Sequence, residues 1–177
     1  MSPQPSIHDL NELPAEEFAR QAAPLFEGAP HYLRRLAEAR PFRSITDLFR
    51  SARSVALNMS APEQIELLNA HPRIGADPAA VSNLSYREQG YDRSPAEAET
   101  ARRLHELNEA YENRFGFRFV VFVAGRARSE IIPILEAALE ADRSLELRRG
   151  LEDVVAIAED RLGALRASRE PRPSIGA

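Results

Sequence analysis

The sequence predicts an all-α fold, namely a compact single-domain helical bundle with one short extended connector near 117–124. Three observations lead to this prediction. The length of 177 residues suits a single domain. The 44% hydrophobic and 28% charged residues are typical of a protein with its own core. Apolar residues recur at helical spacing along most of the chain. We expect a lead-in over 1–6, the domain over 7–166 and a disordered tail over 167–177.

Helical spacing is clear in the first third of the chain, where turn residues separate short amphipathic segments. The pattern predicts three helices there: one that opens at Pro14, one that contains Leu33 and Leu36 and ends before Pro41, and one from Ser44 to about Met59.

Two S-x-x-E capping boxes mark the next helices, and each has a proline in the first turn. These boxes are Ser60 with Glu63 and Ser94 with Glu97. The first of these helices ends near His71, because Pro72 pushes the preceding residue out of the α region. We expect a loop over 72–84. The second helix runs down to Gly116, which is typical of a helix end.

Residues 117–124 have the aromatic and β-branched content of a buried strand. Since a lone strand has nothing to pair with, we predict an extended, buried connector. Ser129 is expected to cap the following helix through about Ala141, and a last helix carries apolar residues at helical spacing as far as Leu165.

The composition excludes several kinds of chemistry. The chain has no cysteine and no lysine, so thiolate nucleophiles and Schiff bases are ruled out. Charges of both signs are interspersed and sum to −4, so we expect no nucleic acid partner. With no membrane-length apolar run, we expect no membrane partner and a cytoplasmic protein. No spacing of metal ligands or phosphate-binding glycines is present, so we predict no metal and no cofactor.

His71 is the candidate acid or base among the four histidines, because it lies at a helix end followed by a sharp turn. The negative end of the helix favours its imidazolium form. Structural capping of the helix is the alternative. A second candidate is the polar segment around Ser85 and Glu88, which would share one face of a helical turn. The same S-x-x-E pattern is also explained by capping alone.

Three motifs in this order resemble one family over residues 7–166. They are Ala70–Gly75 (AHPRIG), Ser85–Gln89 (SYREQ), and Leu107–Tyr111 leading into Arg114–Phe119 (RFGFRF). The chain resembles the 2-oxo-4-hydroxy-4-carboxy-5-ureidoimidazoline (OHCU) decarboxylase family. The resemblance implies an all-helical homodimer that acts in urate degradation, after urate oxidase and the hydroxyisourate hydrolase, and that forms (S)-allantoin without a cofactor.

The resemblance also implies roles for individual residues. It makes His71 and Glu88 catalytic, and it assigns substrate binding to Pro72, Ser85, Gln89, Phe119, Val120, Val121, Phe122, Val123 and Arg161. His71 would exchange protons with substrate, Glu88 would hold His71 or the substrate hydroxyl in line, and Arg161 would anchor substrate oxygen atoms. The connector would offer backbone N–H and C=O groups to a flat heterocycle.

The chain departs from the family pattern in two places. The loop from His71 to Glu88 looks shorter than in many relatives, and Arg118 stands where a proline is common. We expect the second change to matter little. Two alternatives stay open: a non-catalytic module of the same fold that binds a purine breakdown product or a partner protein, and an enzyme for another heterocyclic acid. The presence of both His71 and Glu88 favours the decarboxylase.

Overall fold

The structure, a computed structural model, describes residues 6–76 and 95–167. In these two ranges it is all-α and contains no strand, which confirms the predicted fold class. The helices are α1 (Ile7–Glu12), α2 (Ala15–Ala22), a 3-10 turn (Ala23–Leu25), α3 (Pro30–Glu38), α4 (Ile45–Asn58), α5 (Ala61–Ala70), α6 (Pro95–Phe115), α7 (Arg128–Ala138) and α8 (Arg143–Ala167). No helix within the described ranges is both long and apolar enough to cross a membrane.

The long helix α8 organises the bundle, because α4, α5 and the 3-10 turn all pack against it. Its buried residues include Leu151, Val154 and Val155. A Cβ atom at Gly150 would lie 3.1 Å from the side chain of Leu68, so the glycine allows α5 to approach α8 closely. This contact places the end of α5 beside α8.

The predicted connector joins α6 to α7 and lines one side of α8; over 118–123 it is neither helix nor strand. Its aromatic residues anchor it to α6. The ring of Tyr111 on α6 lies 5.9 Å from that of Phe117 and 5.2 Å from that of Phe119. The Tyr111 hydroxyl donates to Glu146 on α8 at 2.8 Å, so one side chain joins α6, the connector and α8.

One helix was not predicted, and the bounds of another differ from the prediction. Residues 7–12 form the short helix α1, which is opened by the paired hydrogen bonds of Ser6 and Asp9. Ser129 does not cap α7, since the helix begins one residue earlier, and the Glu130 carboxylate accepts a bond from the Ala127 N–H at 2.7 Å. That helix ends at Ala138, three residues before the predicted end. Residues 77–94 and 168–177, which include Ser94 and most of the predicted tail, lie outside the described ranges.

Candidate active site

A cavity of about 250 Å³ opens where the end of α5, the connector and the last third of α8 meet. Eight predicted site residues line it: His71, Pro72, Phe119, Val120, Val121, Phe122, Val123 and Arg161. Asp160 also lines it, although sequence reasoning assigned it no role. The other predicted residues, Ser85, Glu88 and Gln89, lie outside the described ranges, so their roles stay predictions. Within those ranges no group of three His, Asp or Glu side chains is arranged to hold a metal ion.

His71 ends helix α5 as the sequence predicts. It is the C-cap residue, with an extended backbone (φ −77°, ψ 140°) that leads into Pro72. Only 3% of its surface is exposed. Its Nδ1 lies 3.1 Å from the Leu67 carbonyl oxygen, so Nδ1–H donates to that carbonyl. Nε2 is buried and has no hydrogen-bond partner among the described residues.

The charge state of His71 follows from its burial. Burial lowers the pKa of His71 to about 4, and the positive charges of Arg161 and Arg118 act in the same direction. The Leu67 carbonyl and the Glu27 carboxylate oppose these effects but do not outweigh them. The helix end alone favours imidazolium, yet desolvation of a buried ring is the larger effect. His71 is therefore neutral at pH 7, with the proton on Nδ1 and a lone pair on Nε2.

Arg161 supplies a fixed cation on α8, with 2% of its surface exposed. Its Nη1 donates to the carbonyl oxygens of Pro24 and Leu25 at 3.1 and 3.2 Å, and its Nη2 donates to Glu27 Oε1 at 2.8 Å. Glu27 does not line the cavity whereas Arg161 does, so the ion pair presents its positive side to the cavity. A buried cation held in this way suits an anionic ligand.

Glu27 was not predicted as a site residue. It has a left-handed backbone (φ 51°) and is followed by Gly28 at φ 77° in the turn before α3. A non-glycine residue in this conformation is uncommon, and here it directs the carboxylate to Arg161. The Glu-Gly pair is a turn signal in the sequence, but it contains no sign of a partner 134 residues away.

Arginine side chains hold the carbonyl groups of the connector. Arg149 Nη1 donates to the Val120 carbonyl oxygen at 2.9 Å, and Arg126 Nε donates to that of Val123 at 2.8 Å. Arg126 also donates to the Phe122 carbonyl oxygen. The sequence predicted that connector N–H and C=O groups would both serve a ligand, but three of the carbonyls are already bound by protein.

Two backbone N–H groups of the connector remain for a ligand. Among the hydrogen bonds of the described residues, none uses the N–H of Val121 or Val123, and both residues line the cavity. The connector therefore offers these two N–H donors to a ligand, while the carbonyls of Val120, Phe122 and Val123 are held by arginine side chains. The site as described combines a neutral imidazole, a fixed guanidinium and backbone donors, which together suit a small, oxygen-rich anion.

Known proteins resemble the chain in sequence. The family profile described as OHCU decarboxylase matches residues 11–163. A 2-oxo-4-hydroxy-4-carboxy-5-ureidoimidazoline decarboxylase of Halalkalicoccus jeotgali is 31% identical over 169 residues, which cover 93% of this chain and 94% of that protein. The uric acid degradation bifunctional protein PucL of Bacillus subtilis is 29% identical over 157 residues, which cover 89% of this chain. The match spans only 32% of the length of the Bacillus protein.

Solved structures share the fold. A crystal structure of OHCU decarboxylase in the presence of (S)-allantoin matches with a TM-score of 0.66 at 22% identity, covering 82% of this chain and 96% of that one. A crystal structure of (S)-allantoin synthase matches with the same TM-score at 21% identity, covering 90% of this chain and 54% of that one. The profile match spans most of the chain, including α5, the connector and most of α8, and so the chain belongs to the OHCU decarboxylase family.

Proposed function

We propose that the chain decarboxylates 2-oxo-4-hydroxy-4-carboxy-5-ureidoimidazoline to (S)-allantoin in urate degradation. The observation that carries the proposal is the neutral His71, whose Nε2 is without a partner among the described residues, beside a cavity that also contains the cation of Arg161. The names of the relatives in Halalkalicoccus and Bacillus, a decarboxylase and a uric acid degradation protein, support the same reaction and pathway.

The substrate makes modest chemical demands on the protein. Its carboxylate is on a ring carbon that bears a hydroxyl and adjoins an imine. When the bond to the carboxylate breaks, carbon dioxide leaves and the electron pair passes into the ring towards the imine nitrogen. That nitrogen takes up from water the one proton that the overall reaction consumes. The ring thus supplies its own electron sink, and the proposed reaction uses no cofactor. The protein must orient the substrate, bind its negative charge and control proton transfer.

His71 is the proton-transfer group in this proposal. Its Nε2 lone pair accepts the hydroxyl proton as carbon dioxide leaves, and the resulting imidazolium returns a proton to the adjacent ring carbon, which becomes the stereocentre. A neutral imidazole can perform this first step at pH 7, whereas an imidazolium cannot. Delivery from one side of the ring produces a single enantiomer. We assign Glu88 to the alignment of His71 or of the hydroxyl, as the family motif implies.

The remaining site residues bind the substrate. The guanidinium of Arg161 faces the carboxylate or a ring oxygen, and the N–H groups of Val121 and Val123 donate to the oxo or ureido oxygens. Pro72 and the side chains of Phe119, Val120 and Phe122 complete the cavity wall. Ser85 and Gln89 are assigned to polar atoms of the substrate by the motif.

Assembly and location belong to the same proposal. We propose a homodimer that acts in the cytoplasm. Light scattering of the purified protein tests the first part, since a mass near 40 kDa rather than the monomer mass of 19.7 kDa is expected.

The chirality of the product tests the function. The substrate is generated from urate with urate oxidase and the hydroxyisourate hydrolase, and the allantoin formed is followed by circular dichroism with and without this protein. Because spontaneous decay gives a racemate, a signal for (S)-allantoin only in the presence of the protein supports the proposal. A racemic product would overturn it, and would point either to a binding module of the same fold or to decarboxylation of another heterocyclic acid.

A further inference from the structure

Arg118, on the connector, reaches across to the end of the helix that carries His71. Its Nη1 donates to the carbonyl oxygens of Asn69 at 2.8 Å and of His71 at 2.9 Å. Its backbone N–H donates to Asn69 Oδ1 at 2.9 Å. Three hydrogen bonds thus join the connector to the last residues of α5.

These hydrogen bonds lie at the C-terminal end of α5, where His71 is located. The last carbonyl groups of a helix lack partners within the helix and form the negative end of its dipole, so a guanidinium there is stabilising. In this case one of the carbonyls is that of His71 itself. The imidazole is held at Nδ1 by Leu67, one turn earlier, and its backbone is held by Arg118. These two attachments together limit the movement of Nε2.

We propose that Arg118 is a positioning residue, which fixes the backbone of His71 relative to the connector that lines the same cavity. This proposal replaces the expectation from the sequence that an arginine at this position would matter little. The inference rests on the proposed function in one respect, since it assigns Arg118 a part in aligning the proton-transfer group. Arg118 is not among the residues that line the cavity, so it acts through His71 and not on the substrate.

Arg118 also belongs to the charged surroundings of the imidazole. The charged groups that act on His71 are Arg161 from α8, Glu27 from the turn before α3, and Arg118 from the connector. The charge of Arg118 lowers the pKa of His71. Removing that charge should therefore raise the pKa, whereas a loss of packing at a distance should leave it unchanged.

Arg143 provides a matched control. Its Nε donates to the Phe115 carbonyl oxygen at 2.9 Å, and its guanidinium lies 5.3 Å from the centre of the Phe117 ring. It therefore binds the end of α6 much as Arg118 binds the end of α5, but without contact to His71. Arg118→Met and Arg143→Met each remove one such attachment, and Arg118→Lys keeps the charge.

Two measurements are made on these variants. The first is an NMR titration of ¹³C-labelled histidine, in which the signal of His71 is identified by its absence in His71→Asn. The second is kcat and KM for formation of (S)-allantoin. In Arg118→Met we expect the pKa of His71 to rise by roughly a few tenths. We also expect kcat to fall about tenfold, with KM changed less than about twofold.

The control and the conservative variant decide the interpretation. Arg143→Met should lower the unfolding temperature without affecting the pKa of His71 or kcat, and Arg118→Lys should restore the pKa. The inference is overturned if Arg118→Met leaves the pKa of His71 and kcat unchanged. It is also overturned if Arg143→Met changes the pKa and kcat as much as Arg118→Met does. The NMR titration needs no turnover. It tests the attachment even if a racemic product refutes the proposed function.

Discussion

The buried neutral His71 makes a quantitative prediction about stability and pH. The pKa of His71 is about 4 in the folded protein, compared with 6.5 for an ordinary imidazole. Between these values the unfolded chain binds a proton that the folded chain does not, so stability falls as the pH falls through this window. At pH 5 the unfolded imidazole is protonated and the folded one is neutral. Each pH unit below 6.5 lowers the free energy of unfolding by about 1.4 kcal/mol, so the loss at pH 5 is about 2 kcal/mol.

Urea unfolding of the wild type and of His71→Asn at pH 7 and pH 5 measures this contribution. Other groups titrate in both proteins and cancel in the comparison. From pH 7 to pH 5, the free energy of unfolding of the wild type should fall by about 2 kcal/mol more than that of the variant. For an m value of about 2 kcal/mol/M, this difference lowers the urea midpoint of the wild type by about 1 M more than that of the variant. Parallel losses in the two proteins would refute the assignment of a neutral imidazole, and with it the base role of Nε2.

Three further predictions concern backbone shape, charge and the connector. Gly75→Ala should destabilise the fold by about 2 kcal/mol, since Gly75 has φ 78° and a Cβ there would lie 3.1 Å from neighbouring atoms. Gly163→Ala on α8, where a Cβ would meet nothing within 4 Å, should stabilise the fold by up to about 1 kcal/mol. Thermal unfolding measures the stability of both glycine variants, and equal effects of the two substitutions would contradict this reasoning. Arg161→Lys keeps the charge but loses the planar fork, so KM should rise about tenfold, and an unchanged KM would argue against substrate anchoring. Arg149→Met removes the donor to a connector carbonyl, and steady-state kinetics should show a raised KM with a smaller change in kcat.

Local rules predicted most of the helices because the responsible residues are close in sequence. Ser60 and Glu63 form the predicted capping box, and His71 leaves the helix just before Pro72. The same rule failed at α1, whose capping residues Ser6 and Asp9 were present but whose six residues lack an apolar face long enough to detect. Short helices depend on the packing of the whole domain, which a local pattern does not contain.

The site divides in the same way between local and distant determinants. Sequence motifs predicted the residues of the cavity wall, because His71 with Pro72 and the connector are each short, continuous segments of sequence. The side chains that hold this wall were not predicted, since their partners are set by the folded arrangement. Arg161 binds Glu27 across 134 positions, and Arg149 binds Val120 across 29. The charge of His71 was likewise set by burial, which the helix end alone did not indicate.

The most direct test of the central claim is the enantiomeric composition of allantoin formed in the presence of His71→Asn. The substrate is again generated from urate, and circular dichroism compares the variant with the wild type at matched concentration and confirmed fold. We predict an (S)-allantoin signal with the wild type and a racemate with the variant, because the variant lacks the group that transfers the proton to one side of the ring. An undiminished (S)-allantoin signal from His71→Asn would contradict it.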